Sequence, residues 1–133
     1  MVTANVIRLR QDKNAIKLLA ETDRVIFDCD GVIWRGAKVI RGAKLVVSNL
    51  RKERKQLFFL TNSSTKSRES LRAKFAKIGI DVCKDEVIGS AYLLAKYLLS
   101  SNWNSDYWVY VVGGKGIVEE LDAVGIKCFG TVT

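Results

Sequence analysis

Short apolar runs alternate along the chain with segments of helical periodicity. Three apolar runs have the length of buried strands, at residues 24–28, 56–60 and 107–112. Between them, apolar residues recur every three or four positions, as in Leu71, Phe75 and Ile78, which predicts amphipathic helices. The chain is therefore expected to be an α/β protein.

The remaining segments complete this pattern. Apolar spacing predicts further helices across residues 5–20, 43–50, 90–99 and 117–124, and a last strand at 126–129. Residues 31–42 contain three glycines and predict a loop or hairpin. Alternation of strand and helix implies right-handed crossovers and a mainly parallel sheet with helices on both faces, a three-layer, Rossmann-like architecture with the first strand at its centre.

Length and composition exclude several classes of protein. A chain of 133 residues fits one domain with one core. Its longest apolar stretches have about five residues, against about 20 for a membrane span, and its first residues do not form a secretory signal. Histidine is absent, which excludes Ser–His and Cys–His triads, and three cysteines are too few for a disulfide framework or a zinc site. We expect a cytoplasmic protein with no membrane partner.

The net charge of +8 is concentrated in one part of the chain. Residues 35–77 carry 13 Lys and Arg against two acids, a net of +11. A solvated cationic face is the first interpretation, and steering of small anionic substrates is the second. Nucleic-acid binding ranks last, because the aromatic residues in this block occupy positions expected to be buried.

Polar residues follow the predicted strands at the sheet edge where ligands bind in such folds. The first group is Asp28, Cys29, Asp30 and Gly31. A carboxylate ending an apolar strand is costly unless it is paired, protonated or metal-bound. In extended backbone Asp28 and Asp30 project from one face, and Mg²⁺ would relieve their repulsion. Asp28 could then attack phosphorus while Asp30 protonates the leaving oxygen, and Gly31 lets the chain turn.

Other interpretations of these segments stay open. Asp-x-Asp also occurs as capping or turn acids, and in enzymes that hold a nucleotide-bound metal. After the second strand, Thr61 and Asn62 precede a helix whose N-terminus could bind a phosphoryl oxygen, or they could form an ordinary cap. Lys66 and Arg68 oppose that helix dipole, which a bound anion would explain.

Three further features are assigned structural roles or left open. The Gly-Gly-Lys-Gly segment at residues 113–116 lacks the P-loop spacing and predicts a tight strand-to-helix turn. Trp34 is either a substrate-facing aromatic or a cover over the core. The cysteines are expected to be small buried hydrophobes, with Cys29 turned away from the two acids.

Two motifs resemble a known family. The segments DCDGVIW at residues 28–34 and LTNSSTKSRE at residues 60–69 resemble the haloacid dehalogenase superfamily of phosphatases, in particular its branch of 4-nitrophenylphosphatases, phosphoglycolate phosphatases and pyridoxal phosphatases. The resemblance extends from about residue 24 over nearly the whole remaining chain. One departure is Ser63, where the branch usually has a second Asn.

The resemblance implies roles for individual residues. Asp28 matches the nucleophile, which forms an aspartyl-phosphate and contacts Mg²⁺. Asp30 matches the acid/base, whose backbone carbonyl contacts the metal. Thr61, with Asn62 beside it, matches the phosphate-binding hydroxyl, and Gly31 completes the substrate-binding set. These are expectations from the likeness.

The resemblance also implies what is missing. Family members continue into a cap domain and then supply a lysine and a further acidic motif, which nothing here matches. We therefore expect residues 1–133 to be the N-terminal part of a core domain without its cap. The expected function is that of a Mg²⁺-dependent phosphomonoester hydrolase of a small phosphorylated metabolite, impaired in this short chain. The alternative is a non-catalytic regulatory or binding fragment that self-associates through an exposed sheet edge.

Overall fold

The computed structural model describes residues 13–132, so the first half of the helix predicted over residues 5–20 lies outside the described residues. The helices are α1 (Lys13–Ala20), α2 (Ala43–Lys52), α3 (Arg68–Lys77), α4 (Ser90–Ser100) and α5 (Lys115–Asp122). The strands are β1 (Arg24–Asp28), β2 (Trp34–Arg35), β3 (Lys38–Val39), β4 (Gln56–Thr61), β5 (Val87–Gly89), β6 (Val109–Gly113) and β7 (Cys128–Val132). Of the helices described, none has the length and hydropathy of a membrane span.

The main sheet is parallel, and its strand order is β1-β4-β5. This confirms the predicted α/β class. The register pairs Asp28 with Leu60 and Thr61 with Gly89, so the carboxyl ends of all three strands meet at one edge. The expectation that β1 is central is wrong for the described part of the chain, where β1 pairs only with β4 and forms an edge of the sheet.

One face of this sheet supports the core. Alternation along β4 buries Leu57, Phe59 and Thr61, because side chains of a strand point to opposite faces in turn. Phe59 contacts Phe75 of α3 with ring centroids 4.7 Å apart. Ile26 of β1, on the other face, is 65% exposed, so the described residues leave that face largely uncovered.

A second, two-stranded sheet lies apart from the first. β6 and β7 pair in parallel with each other and not with β5, which differs from the single sheet expected. A separate cluster of buried apolar side chains packs beneath it, consisting of Ala95, Val111, Leu121 and Ile126. The described residues therefore contain two parallel sheets, the short antiparallel β2–β3 pair and two apolar cores.

The loop between β6 and α5 touches the segment that follows β4. The predicted tight turn is confirmed, since β6 ends at Gly113 and α5 begins at Lys115. A Cβ atom on Gly114 would lie 2.6 Å from Thr65 Cα, and one on Gly116 would lie 2.4 Å from the Lys66 carbonyl carbon. These two glycines are required because backbone approaches backbone.

The structure also tests the predictions for the segment after β1, the buried face of α3 and the three cysteines. The glycine-containing segment after β1 is a hairpin of β2 and β3, as predicted. Leu71 and Phe75 are buried, as their spacing predicts. Of the three cysteines, Cys29 is buried and Cys128 half-buried, but Cys83 is exposed, so it is not the buried hydrophobe expected.

We predict that Gly116→Ala destabilises the fold by about 1–3 kcal/mol, because the new methyl group overlaps the backbone of Lys66. The matched control is Gly89→Ala, whose added Cβ meets its nearest neighbour, Leu71 Cδ1, at an ordinary 3.5 Å. Urea unfolding of both variants measures the difference. Equal stability of the two variants would show that the loop contact is dispensable.

Candidate active site

Asp28 and Asp30 lie where β1 ends. Both side chains are exposed, whereas Cys29 between them is fully buried, which confirms the predicted alternation. Because Asp28 faces solvent, the burial penalty expected for a carboxylate on an apolar strand does not arise. The backbone N–H of Cys29 donates to Asp28 Oδ1 at 2.9 Å.

The carboxylate of Asp30 is held by two donors from different elements. Trp34 Nε1 donates to Asp30 Oδ1 at 2.8 Å, and Thr61 Oγ1 donates to Asp30 Oδ2 at 3.3 Å. Thr61 is buried at the end of β4, the strand that pairs with β1. The structure thus brings together the acid and the hydroxyl of the two sequence motifs.

The carboxylate oxygens of Asp28 and Asp30 are suitable ligands for a divalent cation, but two residues alone do not form a full metal-binding site. Within residues 13–132 neither Asp28 nor Asp30 forms an ion pair with a Lys or Arg, although the chain is strongly basic. Unpaired carboxylate oxygens suit Mg²⁺, which retains several waters and needs only one or two protein carboxylates. The described residues contain no cluster of three or more His, Cys, Asp or Glu able to hold a metal.

Two ionisable side chains near this edge have shifted pKa values. Burial, together with the negative charges of Asp28 and Asp30, raises the pKa of the Cys29 thiol to about 12. Cys29 therefore stays protonated and is not a nucleophile. Partial burial lowers the pKa of the Lys74 amine, and the charge of Asp30 acts in the opposite direction.

The other predicted binding residues lie in the turns beside the acids. Asn62 is exposed, and its backbone carbonyl accepts a hydrogen bond from Ser90 Oγ at 3.0 Å. The backbone N–H of Ser63 donates to Thr61 Oγ1 at 3.2 Å, which fixes the start of this loop. Gly31 has φ +87° and donates its N–H to the Trp34 carbonyl at 2.7 Å, so its amide is engaged within the chain.

At the N-terminus of α3, two of the amides that the sequence suggested were free are engaged, those of Arg68 and Ser70. Arg68 N–H donates to Glu120 Oε1 at 2.5 Å, and Ser67, the N-cap, contacts Glu119 Oε2 at 2.5 Å. Two carboxylates of α5 thus occupy this helix end, because its unpaired N–H groups and positive dipole favour negative charge. We call Ser67, Arg68, Glu119 and Glu120 the α3–α5 polar cluster.

This cluster explains the basic first turn of α3. The guanidinium of Arg68 lies 3.3 Å from Glu120 Oε2 and stacks 3.6 Å above the ring of Tyr92. The anion expected beside the basic first turn of α3 is therefore the carboxylate of Glu120. Hydrogen bonds from Ser67 and Lys115 lower the pKa of Glu119, so its contribution to stability is present above the ordinary glutamate pKa and is lost as the pH falls through the lower, folded-state pKa.

Sequence reasoning missed one residue of this region, Glu120, and left the role of Trp34 open between a substrate-facing aromatic and a cover over the core. Trp34 is 1% exposed and contacts Asp30, so it is a core residue that also touches the site. Glu120 is 2% exposed. The sequence contained evidence for the role of Glu120. This residue lies on the helical face formed by Ile117, Leu121 and Val124, where an acid requires a buried partner.

Comparisons with known proteins show the family of this chain. The family model of haloacid dehalogenase-like hydrolases matches residues 25–127. Phosphoglycolate phosphatase 1A, chloroplastic, of Arabidopsis thaliana is 40% identical over 97% of this chain, which covers 36% of that protein. The 4-nitrophenylphosphatase of Schizosaccharomyces pombe is 38% identical over 92% of the chain and is covered to 42%.

Solved structures show the same fold. The p-nitrophenyl phosphatase of Archaeoglobus fulgidus aligns with a TM-score of 0.72 and 29% identity, over 80% of this chain and 40% of that protein. A glycerol phosphate phosphatase of Mycobacterium tuberculosis in complex with magnesium aligns with a TM-score of 0.71 and 26% identity, over 84% of this chain and 33% of that protein.

The chain belongs to the haloacid dehalogenase-like hydrolase family. It spans about two fifths of the length of the curated relatives it matches. Those relatives are named as phosphatases of phosphoglycolate, 4-nitrophenyl phosphate and glycerol 3-phosphate.

We predict that Glu120→Ala lowers the free energy of unfolding by about 3 kcal/mol, because the mostly buried Arg68 loses its buried anion and keeps only the exposed carboxylate of Asp85, 3.9 Å away. Glu119→Ala is the matched control on the same helix. Its carboxylate is one-third exposed, and about 1 kcal/mol is expected. Chemical denaturation measures both. Equal losses would contradict the assignment of Glu120 as the buried partner.

Proposed function

We infer that the chain carries the aspartyl-phosphate chemistry of a Mg²⁺-dependent phosphomonoester hydrolase. The observation that carries this proposal is the contact of Thr61 Oγ1 with Asp30 Oδ2, which unites the two motifs at the carboxyl edge of the sheet. Family membership supports it, and so does the exposed carboxylate of Asp28, which forms no ion pair with any Lys or Arg within residues 13–132.

The reaction divides between the two acids. A carboxylate oxygen of Asp28 attacks phosphorus, and the bond from phosphorus to the ester oxygen breaks as the aspartyl-phosphate forms. Protonated Asp30 gives its proton to the departing oxygen, which leaves as an alcohol. Asp30 then accepts a proton from a water molecule that attacks the aspartyl-phosphate, which regenerates Asp28 and releases inorganic phosphate.

Neighbouring groups complete the proposed site. Mg²⁺, held by Asp28 and by Asp30 through its backbone carbonyl, would offset the negative charge of the phosphoryl group. Asn62 would donate a hydrogen bond to a phosphoryl oxygen, and Thr61 would do so by redirecting its hydroxyl proton from Asp30 Oδ2. Gly31, at positive φ, lets the chain turn between Asp30 and the hairpin.

The substrate class proposed is a small phosphorylated metabolite, as for the relatives named above. We propose that the 133-residue chain is impaired, because no residue of this sequence matches the lysine and the further acidic motif that the family resemblance implies. Absence of one electrostatic donor costs about 3 kcal/mol of transition-state stabilisation or more. Two statements about the chain stay predictions. One is that it is part of a core domain without a cap, and the other is that it is cytoplasmic.

We predict slow, Mg²⁺-stimulated hydrolysis of 4-nitrophenyl phosphate that Asp28→Asn reduces to background, because the amide is not a nucleophile. Asp106→Asn is the matched control, since it removes an exposed carboxylate from the connection between α4 and β6. Release of 4-nitrophenolate measures both. Activity that survives Asp28→Asn refutes the mechanism, whereas fast turnover that requires Asp28 refutes only the impairment.

A second candidate function is supported by the edge position of β1. Its outer backbone groups pair with no strand in the described part of the chain, and Ile26 beside them is exposed. An open edge next to an apolar face favours pairing with another chain. The chain would then be a non-catalytic binding or regulatory fragment that associates with itself or a longer relative.

We predict that, if this candidate holds, sedimentation shows a monomer–dimer equilibrium that Ile26→Lys shifts to monomer, because a charge on β1 opposes association. Leu93→Lys on α4, at a comparably exposed apolar position, should leave the equilibrium unchanged. Analytical ultracentrifugation over a range of concentrations measures both. A monomer at every concentration excludes this function.

A further inference from the structure

A line of contacts leads from α3 through a buried indole to Asp30. Lys74 Nζ lies 3.8 Å from the ring centroid of Trp34, and the N–H of the same ring donates to Asp30 Oδ1 at 2.8 Å. Lys74 belongs to α3, whereas Trp34 belongs to the hairpin that follows the two acids. Lys74, Trp34 and Asp30, from α3, β2 and the turn after β1, therefore form a continuous series of contacts.

The indole cannot turn away from Asp30. Trp34 is 1% exposed and packs edge-on against Phe75, with ring centroids 4.7 Å apart. Its backbone is tied to the same turn, because its N–H donates to the Cys29 carbonyl at 3.1 Å and its carbonyl accepts from Gly31. The position of its single side-chain donor is thus fixed by the core.

A cation on the ring face strengthens this donor. The ammonium of Lys74 is attracted to the negative π-face and withdraws electron density from the ring. Such withdrawal makes the indole N–H a stronger donor, since neighbouring polar groups in a chain polarise one another. The more weakly bound oxygen of Asp30 then stays directed at Thr61, 3.3 Å away.

We propose that Trp34 and Lys74 are positioning residues that hold the carboxylate of Asp30 in one rotamer, facing Thr61. Lys74 acts through Trp34, and Trp34 acts on Asp30. This assignment of a catalytic benefit rests on the proposed function, in which Asp30 transfers the proton. The geometric part, one rotamer enforced by the indole, is independent of any turnover.

The test uses NMR of the full chain without substrate or metal. Three indole N–H signals are expected from the three tryptophans, and Trp34→Phe identifies the Trp34 signal by its loss. Three-bond couplings of Asp30 Cγ report its χ1 rotamers. We expect one rotamer in the parent chain and rotamer averaging in Trp34→Phe. One unchanged rotamer in that variant overturns the proposal.

A second set of variants leaves the buried indole in place, so the test does not depend on Trp34→Phe folding. Lys74→Met should move the Trp34 indole proton upfield and broaden the rotamer distribution of Asp30, and Lys74→Arg should restore both, because a guanidinium also stacks on indole. Lys77→Met, exposed one turn further along α3, is the control. An indole signal equal in Lys74→Met and Lys77→Met overturns the role of Lys74.

Failure of the two proposals can be told apart. A chain inactive toward 4-nitrophenyl phosphate with Mg²⁺ but with the expected couplings and indole shifts contradicts the hydrolase function and retains the fixed rotamer. An active chain in which Trp34→Phe leaves the rotamer of Asp30 unchanged retains the hydrolase function and contradicts the positioning role.

Discussion

The parallel pairing of β1 with β4 is the constraint on which the site depends. Its register sets Asp28 beside Leu60, so the residues that follow each strand emerge next to each other. Asp30 and Thr61 are 31 positions apart in sequence, and only this pairing brings a carboxylate oxygen within 3.3 Å of the hydroxyl. The buried side chains of β4 secure the register, because a slip by one residue would turn Phe59 and Thr61 to the exposed face.

Much of this arrangement could be predicted from local pattern. Strand runs, helical spacing and the polar residues after each strand are encoded within windows of a few residues, so the α/β class and the proximity of the two motifs followed from them. The alternation that buries Cys29 between two exposed acids is equally local. The position of β1 at the sheet edge and the separate β6–β7 sheet were not predictable in this way, because strand order is decided by long-range pairing.

Among the polar residues, too, the local features could be predicted from the sequence and the long-range contacts could not. That α3 follows the polar segment after β4 could be predicted, although its N-cap is Ser67 and not Thr61 or Asn62. The identity of the anion at its N-terminus could not be predicted, since Glu119 and Glu120 lie about 50 residues away. The sequence suggested a ligand there, and the fold supplies its own carboxylates. A phosphoryl group at this edge would therefore depend on the Thr61 loop and a metal rather than on the dipole of α3.

The division into two apolar cores affects which part of the chain unfolds first. Among the described residues the smaller core has four buried apolar side chains, with seven partly buried ones packed against them. It is smaller than the core beneath the main sheet, and it packs α5 chiefly against α4. Local unfolding follows such boundaries, and the smaller unit would open before the three-stranded sheet. Because Gly114 and Gly116 rest on Thr65 and Lys66, each opening event would also release the downstream end of the loop that Thr61 begins.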